Sequence, residues 1–166
     1  MFLNLKRLFT GERDSLPVDC TLDFSELEYM NNHPFMHPVR VSGDVSVIAE
    51  VVTLDAVADF IHDCKCDRCL AEIHNPVQIP IKYVLVTIDT QDNDNDIVLV
   101  KNYLLPLDDL VREDLILSLP SKNLCREDCH GLCPGCGKEL TDGPCGCTSK
   151  TIDPRLEILR QLTESE

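Results

Sequence analysis

Between residues 125 and 147 the chain reads CREDCHGLCPGCGKELTDGPCGC, which carries six cysteines: Cys125, Cys129, Cys133, Cys136, Cys145 and Cys147. Three more, Cys64, Cys66 and Cys69, stand together far upstream, and Cys20 stands alone. No other feature limits the fold as strongly. A segment so poor in large apolar residues cannot bury enough surface to hold its own shape. Its order has to come from what the thiols bind or bond to.

The surroundings decide which. No apolar run approaches the ~20 residues that span a bilayer. The start, MFLNLKRLFTGERD, is broken by Lys6 and Arg7 and has no stretch of signal-peptide length. The expectation is a cytoplasmic chain with no membrane association. Thiols stay reduced there, so clustered cysteines read as metal ligands ahead of disulfides.

The spacing supports a metal. In CPGCG, residues 133–137, two thiolates stand two residues apart, the spacing of a tight knuckle whose amides point at the sulfurs. Gly137 supplies a position that tolerates positive φ. Cys145-Gly146-Cys147 brings the second pair, and the glycine lets both side chains turn the same way. Cys133, Cys136, Cys145 and Cys147 then form a closed sulfur-only set, the signature of structural Zn2+ with no open position for catalysis. Cys66 and Cys69, in CDRCL, with Cys125 and Cys129 are left for a second ion, which would close a long loop at a cost that grows only logarithmically with its length. A single ion on Cys66, Cys69, Cys133 and Cys136 is equally compatible, and spacing alone does not choose. One or two structural zinc ions are expected.

Other chemistries are weighed on the same residues. Cys66-Asp67-Arg68-Cys69 has the form of a redox dithiol, but such a motif needs its first cysteine at a helix N-terminus. Here a strand precedes the pair and another soon follows. Cys20 and Cys64 read as small buried apolar residues. His130 and His62 lie near cysteines yet compete with better-spaced sulfurs, and His33, His37 and His74 read as solvated. No nucleophile–base order, phosphate-cradling loop or paired-carboxylate signature stands out. QDNDND, 91 to 96, lacks the glycine and terminal glutamate of a calcium loop and reads as a turn. No enzyme is expected.

The rest of the chain reads as a body. Apolar residues make up 43% with no Trp, so the core must come from Val, Ile and Leu. Residues 18–24 alternate apolar and polar, as do 39–49, where Val39, Val41, Val45, Val47 and Ala49 share a face. Gly43 on that face marks a bulge or bend. Residues 51–63 place Ala56, Ala58 and Phe60 on one side, with Val57 and Ile61 on the other. Residues 77–88 are β-branched, and Pro80 argues for an edge or bulged position. IVLVKNYLLPL, from 97, reads as one further strand. After Pro106, Leu107, Leu110, Val111 and Leu115 fall at helical spacing, Asp108 and Asp109 suit the helix start, and Pro120 stops it. A final helix is expected from Asp153 and Pro154. The expected fold is α+β: a curled antiparallel β-meander with a packing helix over 1–120, then a zinc-knuckle module with a C-terminal helix over 121–166.

The net charge is −14. A phosphate backbone repels such a surface, whereas a basic protein is attracted. Lys138, Lys150, Arg155 and Arg160 are the only cations that would support RNA contact by the cysteine module.

CDRCL, a helix leading to LSLP, CREDCHGLCPGCGKEL, GPCGC and DPRLEIL, in that order, resemble the YceD family of bacterial large-ribosomal-RNA accumulation proteins. The likeness spans nearly the whole chain and is strongest from Cys66 onward. It implies a non-enzymatic role in accumulation of the large-subunit (23S) rRNA and in ribosome biogenesis. With the acidic charge, the expected partner is a basic large-subunit ribosomal protein or an assembly intermediate; direct rRNA binding by the cysteine module and a Cys66/Cys69 thiol oxidoreductase are the alternatives. Some members keep the CxRC pair and a later Cys or His without the CPxCG and CxC tail. That implies one site on Cys66, Cys69, Cys125 and Cys129 and a second on the tail. Cys64 is extra against the family's pattern.

Overall fold

A computed structural model describes residues 1–88, 96–141 and 143–147. The expected final helix, Lys150, Arg155 and Arg160, and the turn at 91–96 apart from Asp96, lie outside them. The chain divides into two compact units, Met1–Lys65 with Glu72–Asn123, and Cys66–Ala71 with the segment from Leu124 onward. The short stretch Cys66–Ala71 thus groups with the cysteine-rich segment, where a single cut at residue 120 would have left it with the body.

The first unit is built on a five-stranded sheet in the order β2-β3-β4-β5-β6. β2 is Ser15–Leu22, β3 Val39–Ile48, β4 Val51–Lys65, β5 Glu72–Val86 and β6 Ile97–Leu99. From β2 to β5 every pairing is antiparallel. This part is the expected meander, because strict alternation fixes which face each strand buries. On β4, Val52, Leu54, Ala56, Ala58, Phe60 and His62 are buried, and the residues between them face outward. The sheet is not closed into a barrel.

Four readings need correction. The strand expected from Ile97 to Leu107 is broken. β6 is only three residues long and runs parallel to β5, with Val84 opposite Ile97. The backbone then turns through Asn102 and Tyr103, with φ 55° and 60°, and no strand continues through left-handed residues. The chain resumes as β7, Leu104–Pro106, which pairs antiparallel with β1, Phe2–Asn4, in a separate two-stranded sheet. The meander therefore ends at β5.

The N-terminal stretch, assigned no element above, supplies β1 and a one-turn helix, α1, Lys6–Phe9, and both Leu5 and Leu8 are buried. Four residues are too few for a periodicity signal. Gly43, third, marks no bulge. Its pairing is unbroken on both sides, opposite Val18 and Ala56. A Cβ there would lie 2.3 Å from the Asp55 carbonyl oxygen and 2.4 Å from Ala56 Cα. Glycine is needed because β4 approaches closely, not because the strand is irregular. Ala49 also leaves its strand. With Glu50 it forms a two-residue turn, φ 50° and 66°, that closes the β3–β4 hairpin.

Pro80 falls where only β4 flanks β5, since β6 reaches no further than Val84. A missing N–H costs nothing on that open edge. α2, Leu107–Ser118, buries Leu107, Leu110, Val111 and Leu115, the four residues its spacing picked out. The Tyr83 hydroxyl donates to the Asp114 carboxylate and ties α2 to β5. The core they complete is mostly aliphatic, with Val39, Val41, Val45, Leu54 and Ile81 all within 1% of full burial, around an edge-to-face pair of Phe35 and Phe60. Each such side chain contributes ~1.5–3 kcal/mol.

Candidate metal centres

The second unit begins as the turn between β4 and β5. Cys66 N–H donates to the Ala71 carbonyl at 2.8 Å and Leu70 N–H to the Cys66 carbonyl at 2.9 Å. Leu70 takes φ 62° to close the turn. This folds CDRC back on itself, so both sulfurs face one way. Cys66 follows a strand and stands at no helix N-terminus.

Cys125 and Cys129 meet this pair. Cys66 Sγ lies 3.8 Å from Cys129 Sγ and Cys69 Sγ 3.6 Å from Cys125 Sγ, and all four sulfurs fall within 4.8 Å of one another. Two residues that spacing left unremarked hold the halves together. Arg68 donates from its guanidinium to the Cys129 carbonyl. Gly131, at φ 74°, packs so close that a Cβ would lie 2.9 Å from the Arg68 carbonyl oxygen. The only sequence signal for Arg68 is its place inside the CDRC turn.

Cys133, Cys136, Cys145 and Cys147 form a second group, again within 4.8 Å. Its knuckle has Gly137 N–H donating to the Cys133 carbonyl and Cys133 N–H to the Lys138 carbonyl, both at 2.8 Å. Gly135 N–H points at Cys133 Sγ, 3.4 Å away, and Cys145 Sγ lies 3.1 Å from the same sulfur. Gly137 sits at φ 71° with open space about it, so backbone conformation, not room, calls for glycine. The two groups do not mix their pairs.

The donor sets suit a divalent metal. Four thiolates ~2.3 Å from a tetrahedral ion sit roughly 3.8 Å apart, close to the separations in the first group. No disulfide joins any of the ten cysteines, all of which lie among the described residues. One sulfur in each group is primed to ionise first. Burial works to raise the Cys66 thiol, but amides of Cys125, Cys69 and Arg68 outweigh it and lower it to about 6. Cys133 is lowered to about 6 by the Cys145 thiol and the amides of Gly135 and Cys136. Each first thiolate opposes ionisation of its neighbours. Cys147 is pushed up to about 12 by Cys136 and Cys145. The Ala71 amide favours the Cys69 thiolate most strongly of any single group, yet burial and the sulfurs of Cys125, Cys66 and Cys129 together push the thiol up to about 12. Four thiolates held this close need a cation to coexist.

The groups differ in shielding. Cys66, Cys69 and Cys129 are buried and only Cys125 is exposed, whereas in the second group only Cys133 is buried. The remaining candidates sit elsewhere. Cys20 and Cys64 are half-buried and belong to neither group. His62 is buried on the inward face of β4, and His130 is exposed outside both sets. His74, read as solvated, hydrogen-bonds Asp63 through Nδ1.

An α+β protein with two four-cysteine groups, and no helix among its described residues long and apolar enough to cross a membrane, is the class these features define. The chain belongs to the YceD family. Residues 54–163 match the family described as "Large ribosomal RNA subunit accumulation protein YceD". It is also 30% identical over 106 residues, 61% of this chain and 51% of the relative, to an uncharacterized protein of Mycobacterium tuberculosis strain H37Rv, and equally to one of Mycobacterium bovis. To an uncharacterized protein of Mycobacterium leprae it is 30% identical over 120 residues, 69% of this chain and 51% of the relative. The aligned part spans about half the length of these curated relatives. No solved structure matches the chain.

Proposed function

We propose that this protein is a non-enzymatic cytoplasmic factor supporting accumulation of the large-subunit (23S) rRNA in a bacterial cell. It does so by holding a basic ribosomal protein of the large subunit, or an assembly intermediate containing one, until rRNA competes for it. Two structural Zn2+ ions shape its cysteine unit, one on Cys66, Cys69, Cys125 and Cys129, the other on Cys133, Cys136, Cys145 and Cys147.

The observation that carries this is closure of both sulfur sets. Four thiolates fill a tetrahedral ion and leave no site for water or substrate, so such an ion organises backbone and does no chemistry. Family membership supplies the rRNA connection. The net charge of −14 favours a basic protein partner over bare nucleic acid.

Two measurements test it. Elemental analysis of gently purified protein should give ~2 zinc per chain, because structural sites are stoichiometric. A pull-down at ~50 mM salt should recover a basic large-subunit protein that high salt releases. Recovery of no ribosomal component at low salt would sink the partner assignment.

A second reading is direct contact between the cysteine unit and rRNA, as zinc knuckles make. Exposed Lys138, whose carbonyl closes the second knuckle, favours it. Cross-links from rRNA to residues 133–160 would put it ahead. Rapid alkylation of Cys66 and Cys69 in metal-loaded protein would instead revive a thiol oxidoreductase.

A further inference from the structure

The outward face of β4 carries a regular stripe. Asp55, Val57, Asp59, Ile61 and Asp63 point to the same side, two residues apart, opposite to the buried Leu54, Ala56, Ala58, Phe60 and His62. Acid and apolar side chains alternate along it, so one carboxylate recurs roughly every 13 Å at the ~3.3 Å rise of a strand. This face is open. The side chains of Asp55, Lys82, Arg40 and Asp19 on it are 58%, 68%, 64% and 68% exposed.

The stripe has few cations: β4 itself ends in the exposed Lys65, two residues beyond Asp63, and Asp59 accepts from Gln78 Nε2 at 2.7 Å. Lys82 pairs with Asp55 at 3.1 Å, while Arg40, opposite Asp59 in the ladder, turns away to Asp19 at 3.4 Å. Asp44 stands directly across from Asp55, a like-charge pair that destabilises an antiparallel ladder. At the far end Asp63 is 11% exposed. Its Oδ1 bonds His74, but its Oδ2 is shielded from solvent and has no hydrogen-bond partner, with His37 Nε2 3.9 Å away. Two concavities flank this end and share His37. One, about 440 Å³, is lined by Pro38, Asp59, Ile61 and Pro76, the other, about 570 Å³, by Asp63, Glu72 and His74. A charged face meant only for solvation has no need of apolar steps, an orphaned carboxylate oxygen or grooves.

We propose that the β4 stripe docks an extended cationic segment of a protein partner, with lysine or arginine at every fourth residue and a small apolar residue midway between. An extended chain presents alternate side chains on one face at the same rise, so its cations meet Asp55, Asp59 and Asp63 while the apolar residues meet Val57 and Ile61. The last cation reaches the Asp63 carboxylate once the His37 ring swings aside. The proposal rests on the basic-partner reading and adds where the partner binds and what register it needs.

The probe is a synthetic nonapeptide with lysine at its first, fifth and ninth positions, valine at the third and seventh, and threonine elsewhere. Its isomer has the same residues with the lysines contiguous. At ~50 mM salt the registered peptide should bind roughly tenfold more tightly than the isomer, as exposed ion pairs contribute little singly but add along a matched register. Asp55→Asn with Asp59→Asn should weaken it roughly five- to tenfold, whereas Glu26→Gln with Glu28→Gln, on another acidic surface, should stay within about twofold. Amide chemical shifts should move along β4 and near His37, and both pairs of variants should still melt as folded, cooperative proteins. Equal affinity for the two peptides, no saturable binding of either, or displacement of the registered peptide from the stripe by an oligoribonucleotide overturns the stripe. The partner reading fails separately, when the intact chain captures no basic ribosomal protein in the low-salt pull-down.

Discussion

The sheet-and-helix body and the cysteine unit are ordered by different forces. The body removes a continuous, mostly aliphatic surface from water, and its strands alternate so that one face of each does so. The described part of the cysteine unit buries four thiols, Cys66, Cys69, Cys129 and Cys133, and no aliphatic side chain. It stands on turns, glycines at positive φ and sulfurs brought within a few ångströms. Many weak contacts share the first load, and each can be lost at moderate cost. On the proposed metal sites few strong bonds would carry the second, and losing one ligand would lose the group it belongs to.

Metal removal separates them most sharply. A strong chelator should abolish order in the cysteine unit, and Cys66→Ser should do so at the first group, a change on the scale of ~10–16 kcal/mol per structural zinc. Limited proteolysis should then cut within residues 124–147 while far-UV dichroism of the body persists. Cys136→Ser should take zinc from ~2 to ~1 per chain and expose only the tail, because a closed site does not survive loss of one ligand. Because three sulfurs of the first group are buried and only one of the second, alkylation should reach Cys136 and Cys147 before Cys66 and Cys129. Simultaneous labelling would erase the distinction between the two sets.

Core truncation tests the converse. Leu54→Ala or Ile81→Ala should cost ~2–5 kcal/mol in urea unfolding with zinc content unchanged. Gly43→Ala should cost ~1–3 kcal/mol, as its Cβ would force β4 away from β3. Arg68→Met should lower zinc affinity at the first group alone by ~1.5–3 kcal/mol, the contribution of a charged hydrogen bond. Cobalt-substituted protein would report this as a shift in the thiolate-to-metal absorption of one site.

The smallest effect is on pH. Burial holds the His62 imidazole below its ordinary value of 6.5, against the pull of Asp63. The folded state then binds fewer protons than the unfolded one as the pH falls. The stability this group contributes is complete above pH ~6.5 and is lost on acidification through its folded value. His62→Leu should flatten the urea midpoint of the body across that window, and an unchanged slope would deny His62 the role.

Local pattern made much of this legible. The inward residues of β4 and the four buried residues of α2 follow from periods of two and 3.6, which need no knowledge of the rest of the chain. The knuckle at Cys133 was equally readable, since cysteine, glycine and proline encode its turn within five residues. α1 and β1 were not, being shorter than any period. Nor was Gly43, because its reason lies in the neighbouring strand.

What the residues determined unaided is which faces are buried, where the long helix starts and stops, and which cysteines come in pairs. Only the tertiary structure decided how those pairs combine, with Cys66 facing Cys129 across 63 residues of chain. It alone also set β6 parallel to β5 and drew β7 to the N-terminal strand. The physical reason is range. Spacing along the chain fixes what adjacent residues can do together, but a choice among distant partners depends on where the sheet delivers them.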